Sequence, residues 1–125
     1  MNAYQTIDQV AKRTGLTAYT LRYYERIGLL APVARAAGGQ RLYAQTDMAW
    51  LEFLLRLRTT HMTIGKMQTF AKLRSAGDST ITERRQMLES HLQDVQAEVA
   101  AMQKAVAALQ VKIDHYRALE AKEEG

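Results

Sequence analysis

The feature that most constrains this chain is a seam of apolar residues in its second half. Leu88, Leu92, Val95, Val99, Met102, Val106, Leu109, Ile113 and Tyr116 recur at spacings that alternate between 4 and 3. From Thr80 onward there is no proline and no glycine until Gly125. A stripe of this period lies along one side of a continuous helix and asks for a second helix to cover it. At the usual rise per residue the seam runs about 40 Å. The chain has 125 residues in all, and no other segment offers a helix of that length. The expected cover is a second copy, so these residues are the expected dimer interface, and residues 81–121 the dimerisation helix, with a short tail at 122–125.

The first half reads differently. Thr6-Ile7-Asp8-Gln9 has the pattern of a capping box, with Ile7, Val10 and Ala11 following at helical spacing. Thr14-Gly15 is a helix stop, and Thr17 a fresh cap only two residues later. Leu21, Tyr24 and Ile27 share one face of the second helix, which Gly28 ends. Two short helices around a tight glycine turn predict a helix-turn-helix. Pro32 bars easy continuation of helix, and Val33 to Tyr43, with Gly38-Gly39 inside it, predicts a small hairpin or wing. A third helix is expected over about 45–60, burying Met48, Leu51, Leu54 and Leu55, with Trp50 a further candidate. A fourth, capped by Thr63, carries Ile64, Met67, Phe70 and Leu73. Residues 76–80 read as a linker, so the first domain is expected to span 1–75. At the start of the long helix, Thr80 and Glu83 have capping-box spacing.

Charge separates the halves as well. Residues 1–62 carry eight basic side chains (Lys12, Arg13, Arg22, Arg26, Arg35, Arg41, Arg56, Arg58) against four acidic ones, whereas residues 63–125 carry nine of each. The whole net charge of +4 therefore sits in the first half. A basic module beside a neutral one points to a polyanion, with nucleic acid ahead of a membrane surface. No apolar run approaches the roughly 18 residues that span a bilayer, and the N-terminus lacks a signal-peptide pattern. The cytoplasm is the expected compartment. The absence of cysteine excludes disulfides, thiolate metal sites and cysteine nucleophiles.

Enzyme chemistry finds no foothold. There is no phosphate-cradling glycine loop and no histidine–carboxylate cluster with credible spacing. Asp114 and His115 are adjacent, so on a helix they point about 100° apart. His61, His91 and His115 read as surface or capping residues rather than metal ligands, and no cofactor is expected. Two other classes are compatible with the pattern: a coiled-coil scaffold whose basic domain docks on protein, and an architectural DNA binder without sequence preference.

Thr20-Leu21-Arg22-Tyr23-Tyr24-Glu25-Arg26-Ile27-Gly28-Leu29-Leu30 and Gly39-Gln40-Arg41-Leu42-Tyr43 resemble the recognition helix and wing of the MerR family of bacterial regulators. The likeness covers about residues 4–75, and the long seam is consistent with it. It implies an all-α fold with a small β-hairpin wing: a winged helix-turn-helix followed by an antiparallel coiled coil. It further implies a homodimer on double-stranded promoter DNA. Thr17, Ala18 and Thr20 are then the expected base readers. Arg22 and Tyr23 lie on the DNA-facing side of the helix, with Arg26 and Arg35 as weaker candidates. Arg41, Tyr43 and Arg58 match positions that hold the backbone.

Three residues depart from the family pattern: Gln40 replaces an aromatic residue, Ala44 a capping serine, and His61 a glycine. Similar proteins bind promoters with over-long spacers and activate by bending and untwisting the DNA, acting on RNA polymerase through the DNA. Metal- and thiol-sensing relatives depend on cysteines that this chain lacks. With the long helix reaching nearly to residue 125 and no separate drug-binding domain expected, any small-molecule effector is expected near the dimer interface or the helix junctions, and its identity is open.

Overall fold

In the computed structural model, residues 4–124 are described. The order is β1 (Gln5–Thr6), α1 (Ile7–Thr14), α2 (Ala18–Arg26), β2 (Ala34–Arg35), β3 (Arg41–Tyr43), α3 (Gln45–Thr59), α4 (Ile64–Ala76), a 3₁₀ turn (Asp78–Thr80) and α5 (Ile81–Glu124). The chain divides into two compact units, residues 1–87 and 88–125.

Within the first unit each helix begins where a side chain can satisfy its orphan amides. Thr6 accepts from the Gln9 amide at 3.2 Å while Gln9 Oε1 accepts from the Thr6 amide at 2.9 Å, so both halves of the box are made. Thr17 and Thr63 cap α2 and α4 in the same way, accepting from Thr20 and Lys66. Gly15 adopts φ 78° and closes α1 by donating to Ala11 O, a conformation that glycine enters without the Cβ penalty. His61 takes φ 69° between α3 and α4, the left-handed geometry expected where it replaces a glycine.

The wing is part of a three-stranded antiparallel sheet, ordered β1-β3-β2. Ala34 pairs with Leu42 and Arg35 with Arg41, while Gln5 pairs with Tyr43 on the other edge. The N-terminal strand was not foreseen, because two residues are too few to show an alternating pattern.

The core gathers Val10, Leu21, Leu29, Leu51 and Leu54, each at most 1% exposed, around Tyr24, Leu57, Met67 and Phe70. Trp50 is buried, stacks on Phe70 at 5.8 Å between centroids, and donates its indole N–H to Leu29 O at 2.8 Å. Three expected core positions differ. Leu55 and Leu73 are only half-buried and Ile64 is exposed; Leu57 on α3, Ala71 on α4 and Met62 in the turn between them are buried instead. Periodicity locates a stripe, but which of its edges meets a neighbour depends on the packing.

Residues 76–80 are not a slack linker. Thr80 is buried, and its hydroxyl donates to Leu73 O at 2.6 Å and Gly77 O at 2.8 Å while accepting from Arg84 Nε at 3.1 Å. That hydroxyl fastens the 3₁₀ turn back onto α4, and the first compact unit continues into the opening turns of α5 as far as Met87.

One cap is half-made. Asp47 Oδ2 accepts from the Ala44 amide at 2.8 Å, but Ala44, at the N-cap of α3, has no side-chain oxygen to return the bond. Its backbone already has the extended N-cap conformation, φ −78° and ψ 167°. Ala44→Ser is predicted to complete the box and add about 1 kcal/mol of stability. Thermal denaturation checks this: the midpoint should rise by several degrees, and an unchanged or lowered midpoint contradicts it.

Candidate nucleic-acid interface

The second helix is anchored by two buried residues, Leu21 and Tyr24, so its remaining faces are free for contact. Tyr19, Arg22 and Arg26 all lie exposed along it. After Arg26 the chain turns through Gly28, φ 84°, and the Leu29 and Leu30 amides both fold back to Tyr24 O, at 2.9 and 3.2 Å. This tight reversal buries both leucines and starts the path to the wing. Arg41 on β3 then donates its Nε to Glu25 Oε1 at 2.9 Å, with the two side chains only 20% and 14% exposed.

The result is a hollow of about 330 Å³ between recognition helix and wing, lined by Tyr19, Arg22, Glu25, Arg26, Pro32 and Arg41. Three guanidinium groups face one carboxylate there, so the rim keeps a cationic excess. Guanidinium groups hydrogen-bond phosphate in a fixed planar fork, which suits a polyanion better than a point charge does. Arg26 also lies over the Tyr23 ring, 5.3 Å from its centroid, and the half-buried Tyr23 thereby steadies an exposed cation. A larger hollow, about 430 Å³, lies elsewhere on this unit, beside the Arg13–Glu52 ion pair at 3.1 Å. There one cation is matched by one anion, so its size carries no argument for an anionic ligand.

Seven of the expected DNA-contacting residues fall into three groups. Arg22, Arg26 and Arg41 come together in the hollow. Thr17, Ala18 and Thr20 stand at the start of α2; the Thr17 hydroxyl donates to Thr20 Oγ1 at 3.0 Å, so the two threonines are tied to each other. Arg58 is exposed in the last turn of α3, outside the hollow.

Tyr43 requires correction. Alternation along β3 puts it on the same side as Arg41, which is the side that reaches toward α2, and it is 1% exposed. Its hydroxyl is buried and meets no hydrogen-bonding partner among the described residues, and burial pushes the phenol above its usual pKa. A neutral, enclosed ring of this kind packs the wing against the helices rather than gripping a DNA backbone.

Two residues of the site were not singled out from the sequence. Tyr19, 67% exposed, is an aromatic residue off the Leu21/Tyr24 face in a basic segment, a signal that was present. Glu25 acts through a partner 16 residues away, and no local pattern announces that. Among the described residues there is no cluster of three or more metal-capable side chains, and no helix is long and apolar enough to cross a membrane.

Comparison with known proteins agrees with this geometry. Residues 6–43 match the MerR family regulatory protein profile and residues 48–112 the MerR DNA-binding profile. An HTH-type transcriptional regulator of Haemophilus influenzae is 33% identical over 112 residues, covering 90% of this chain and 83% of that one. The regulator AdhR of Bacillus subtilis is 42% identical over 87 residues, 70% of this chain and 62% of that protein. Among solved structures, HiNmlR, a MerR family regulator lacking the sensor domain and bound to promoter DNA, superposes with a TM-score of 0.86 at 32% identity, covering 94% of each chain. A MerR family regulator from Listeria monocytogenes gives a TM-score of 0.88 at 30% identity over 96% of this chain and 92% of that one. With its basic hollow set between recognition helix and wing, the chain belongs to the MerR family of DNA-binding transcriptional regulators.

Proposed function

We propose that this regulator works as an antiparallel homodimer on a two-fold symmetric promoter site, activating promoters with over-long spacers by bending and untwisting the DNA. The observation that carries the DNA-gripping part is the convergence of Arg22, Arg26 and Arg41 with Tyr19 on one hollow. In this reading Arg41 and Arg58 hold phosphates, and Arg22, Arg26 and Tyr23 border the groove. Thr17, Ala18 and Thr20 meet base edges at the start of the helix. Phosphate contacts position the protein, and base contacts choose the sequence. Glu25 keeps the Arg41 guanidinium turned toward α2, so the wing enters the complex with its cation already aimed.

Arg41→Ala and Arg58→Ala should each weaken binding to every duplex alike and flatten the salt dependence by about one contact. Changes at Ala18 or Thr20 should instead shift which half-site is preferred. Fluorescence anisotropy across a salt series, on cognate and scrambled duplexes, separates the two behaviours. A randomised pool from which no duplex is enriched would overturn the regulator reading altogether.

The homodimer is supported by the long helix itself. In the single chain Val99 is 50% exposed, Met102 68% and Leu109 63%, a continuous apolar stripe that water should not be left to cover. Val99→Glu would set a carboxylate in each half of the paired seam, at a cost of several kcal/mol. Sedimentation should then find monomer at micromolar concentration where the unaltered chain is dimeric. A dimer that persists in the variant contradicts the seam.

Activation by distortion follows from the energetics of the duplex. Bending and untwisting a short site costs on the order of a few kcal/mol and depends on the sequence deformed. Additional phosphate contacts offset that cost. RNA polymerase would then be reached through the DNA, by bringing both promoter elements onto one face. Shortening the promoter spacer to ordinary length should make transcription independent of the protein or convert the protein into a repressor. Unchanged activation on the shortened promoter, measured by run-off transcription, would exclude the distortion mechanism while leaving DNA binding intact.

A further inference from the structure

The flanks of the α5 seam carry charges that select one pairing of two helices, and we infer that the dimer adopts a single antiparallel register centred on Lys104, held by Glu98 against the partner's Lys112 and by Glu89 against the partner's Arg117. This rests on the homodimer reading above and goes beyond it by assigning which residue meets which.

In an antiparallel pair each a position packs beside a d position of the partner, and the flanking e and g positions meet e and g of the partner. With Leu88 at d, the e positions are Glu89, Gln96, Gln103, Gln110 and Arg117, and the g positions include Glu98, Ala105 and Lys112. Centring on Lys104 sets Leu92 beside the partner's Tyr116, Val95 beside the partner's Ile113, Val99 beside the partner's Leu109, and Met102 beside the partner's Val106. The seam from Leu92 to Tyr116 is thereby covered without a gap. On one flank Glu89 then meets the partner's Arg117, Gln96 meets the partner's Gln110, and Gln103 meets its own copy. On the other flank Glu98 meets the partner's Lys112, and Ala105 meets Ala105 at the two-fold axis. By symmetry each charged pair forms twice.

The alternatives fare worse. Sliding the helices by one heptad in either direction leaves no opposite charges facing each other and uncovers part of the seam. Sliding by two heptads opposes Glu98 to Glu98 or Lys112 to Lys112. A parallel pair, in which g meets the e position of the next heptad, sets Lys112 against the partner's Arg117, and its one attractive contact, Arg84 with the partner's Glu89, lies beyond the seam from Leu92 to Tyr116. Glu98, Lys112 and Arg117 are exposed in the single chain, within reach of a second helix laid along the seam. Individually such pairs are weak, but like charges in the competing registers destabilise by similar amounts, so the difference sets the register.

The chain contains no cysteine, so one introduced cysteine takes one spin label. Ser90, Ala97, Val111 and Ala118 all occupy outward f positions. In the proposed register, labels on Ser90→Cys and Ala118→Cys are each separated from their copy by about 42 Å along the axis, and those on Ala97→Cys and Val111→Cys by about 21 Å, at 1.5 Å per residue. Pulsed dipolar spectroscopy should therefore find equal separations within each of these two pairs. A register shifted by one heptad would lengthen one member of a pair by about 10 Å and shorten the other by as much; a parallel dimer would give four similar short distances. Either pattern overturns the proposal.

A charge swap gives a second reading. Glu98→Lys and Lys112→Glu should each raise the dimer dissociation constant by about tenfold, and combining them should restore it to within about threefold. The two positions lie 14 residues apart on one helix, too far to pair within a chain, so rescue can come only from the partner. A double variant as weak as the single ones contradicts the register. An unaltered chain that sediments as a monomer defeats the dimer itself, whereas unequal label separations in a chain that sediments as a dimer defeat the register alone.

Discussion

The first unit depends on satisfying the carbonyls of one buried turn. After α2 the chain reverses through Gly28, and Leu29 and Leu30 enter the core with their amides bonded to Tyr24 O. Such a reversal leaves carbonyl oxygens facing the protein, that of Leu29 buried and that of Ile27 partly so, and a buried one left unpaired costs about 1–3 kcal/mol. Two side chains supply the missing donors from elsewhere in the sequence. Trp50 on α3 donates to Leu29 O, and Gln68 on α4 donates to Ile27 O, both at 2.8 Å. The recognition helix is thus held at its C-terminal end by hydrogen bonds to two other helices as well as by packing. The Trp50 indole is in turn stacked on Phe70 and has the Arg74 guanidinium 4.6 Å from its centroid.

At the solvent-facing side the same helix is linked to the wing by charge. The Glu25–Arg41 pair is mostly shielded from solvent, so it is screened less by salt than an exposed pair such as Arg13–Glu52. It spends one hydrogen-bonding edge of a guanidinium on the protein. The planar group has five N–H donors, which leaves capacity for a phosphate. A carboxylate in a basic site therefore orients one cation without cancelling the other two.

The two halves of the chain answer different physical demands. In the first unit apolar residues find partners in the same chain, and the surface that remains is shaped by polar bonds and charge. In the long helix no residue is buried, and the stripe is exposed from Val99 to Tyr116. Charged positions flank that apolar stripe, and in the proposed dimer they are what distinguishes one alignment of two copies from another.

Much of this was legible in the residues. The Thr6 box, the Thr17 and Thr63 caps, the glycine stops at Gly15 and Gly28 and the heptad seam are local or strictly periodic. A local hydrogen bond or a fixed repeat can be read without knowing what lies across the fold. The left-handed backbone at His61 was likewise legible from the residue it replaces. Packing decided the rest. β1 exists only because β3 passes beside Gln5 and Thr6; Tyr43 is enclosed because its side of the strand faces the helices; Thr80 turned from a helix cap into a tie to α4. The clustering of Arg22, Arg26 and Arg41 around Glu25 also joins elements distant in sequence. Composition and periodicity state how much apolar and charged surface a chain has and along which line it lies. Which of those surfaces meet is set by long-range contacts, and only the tertiary structure decides them.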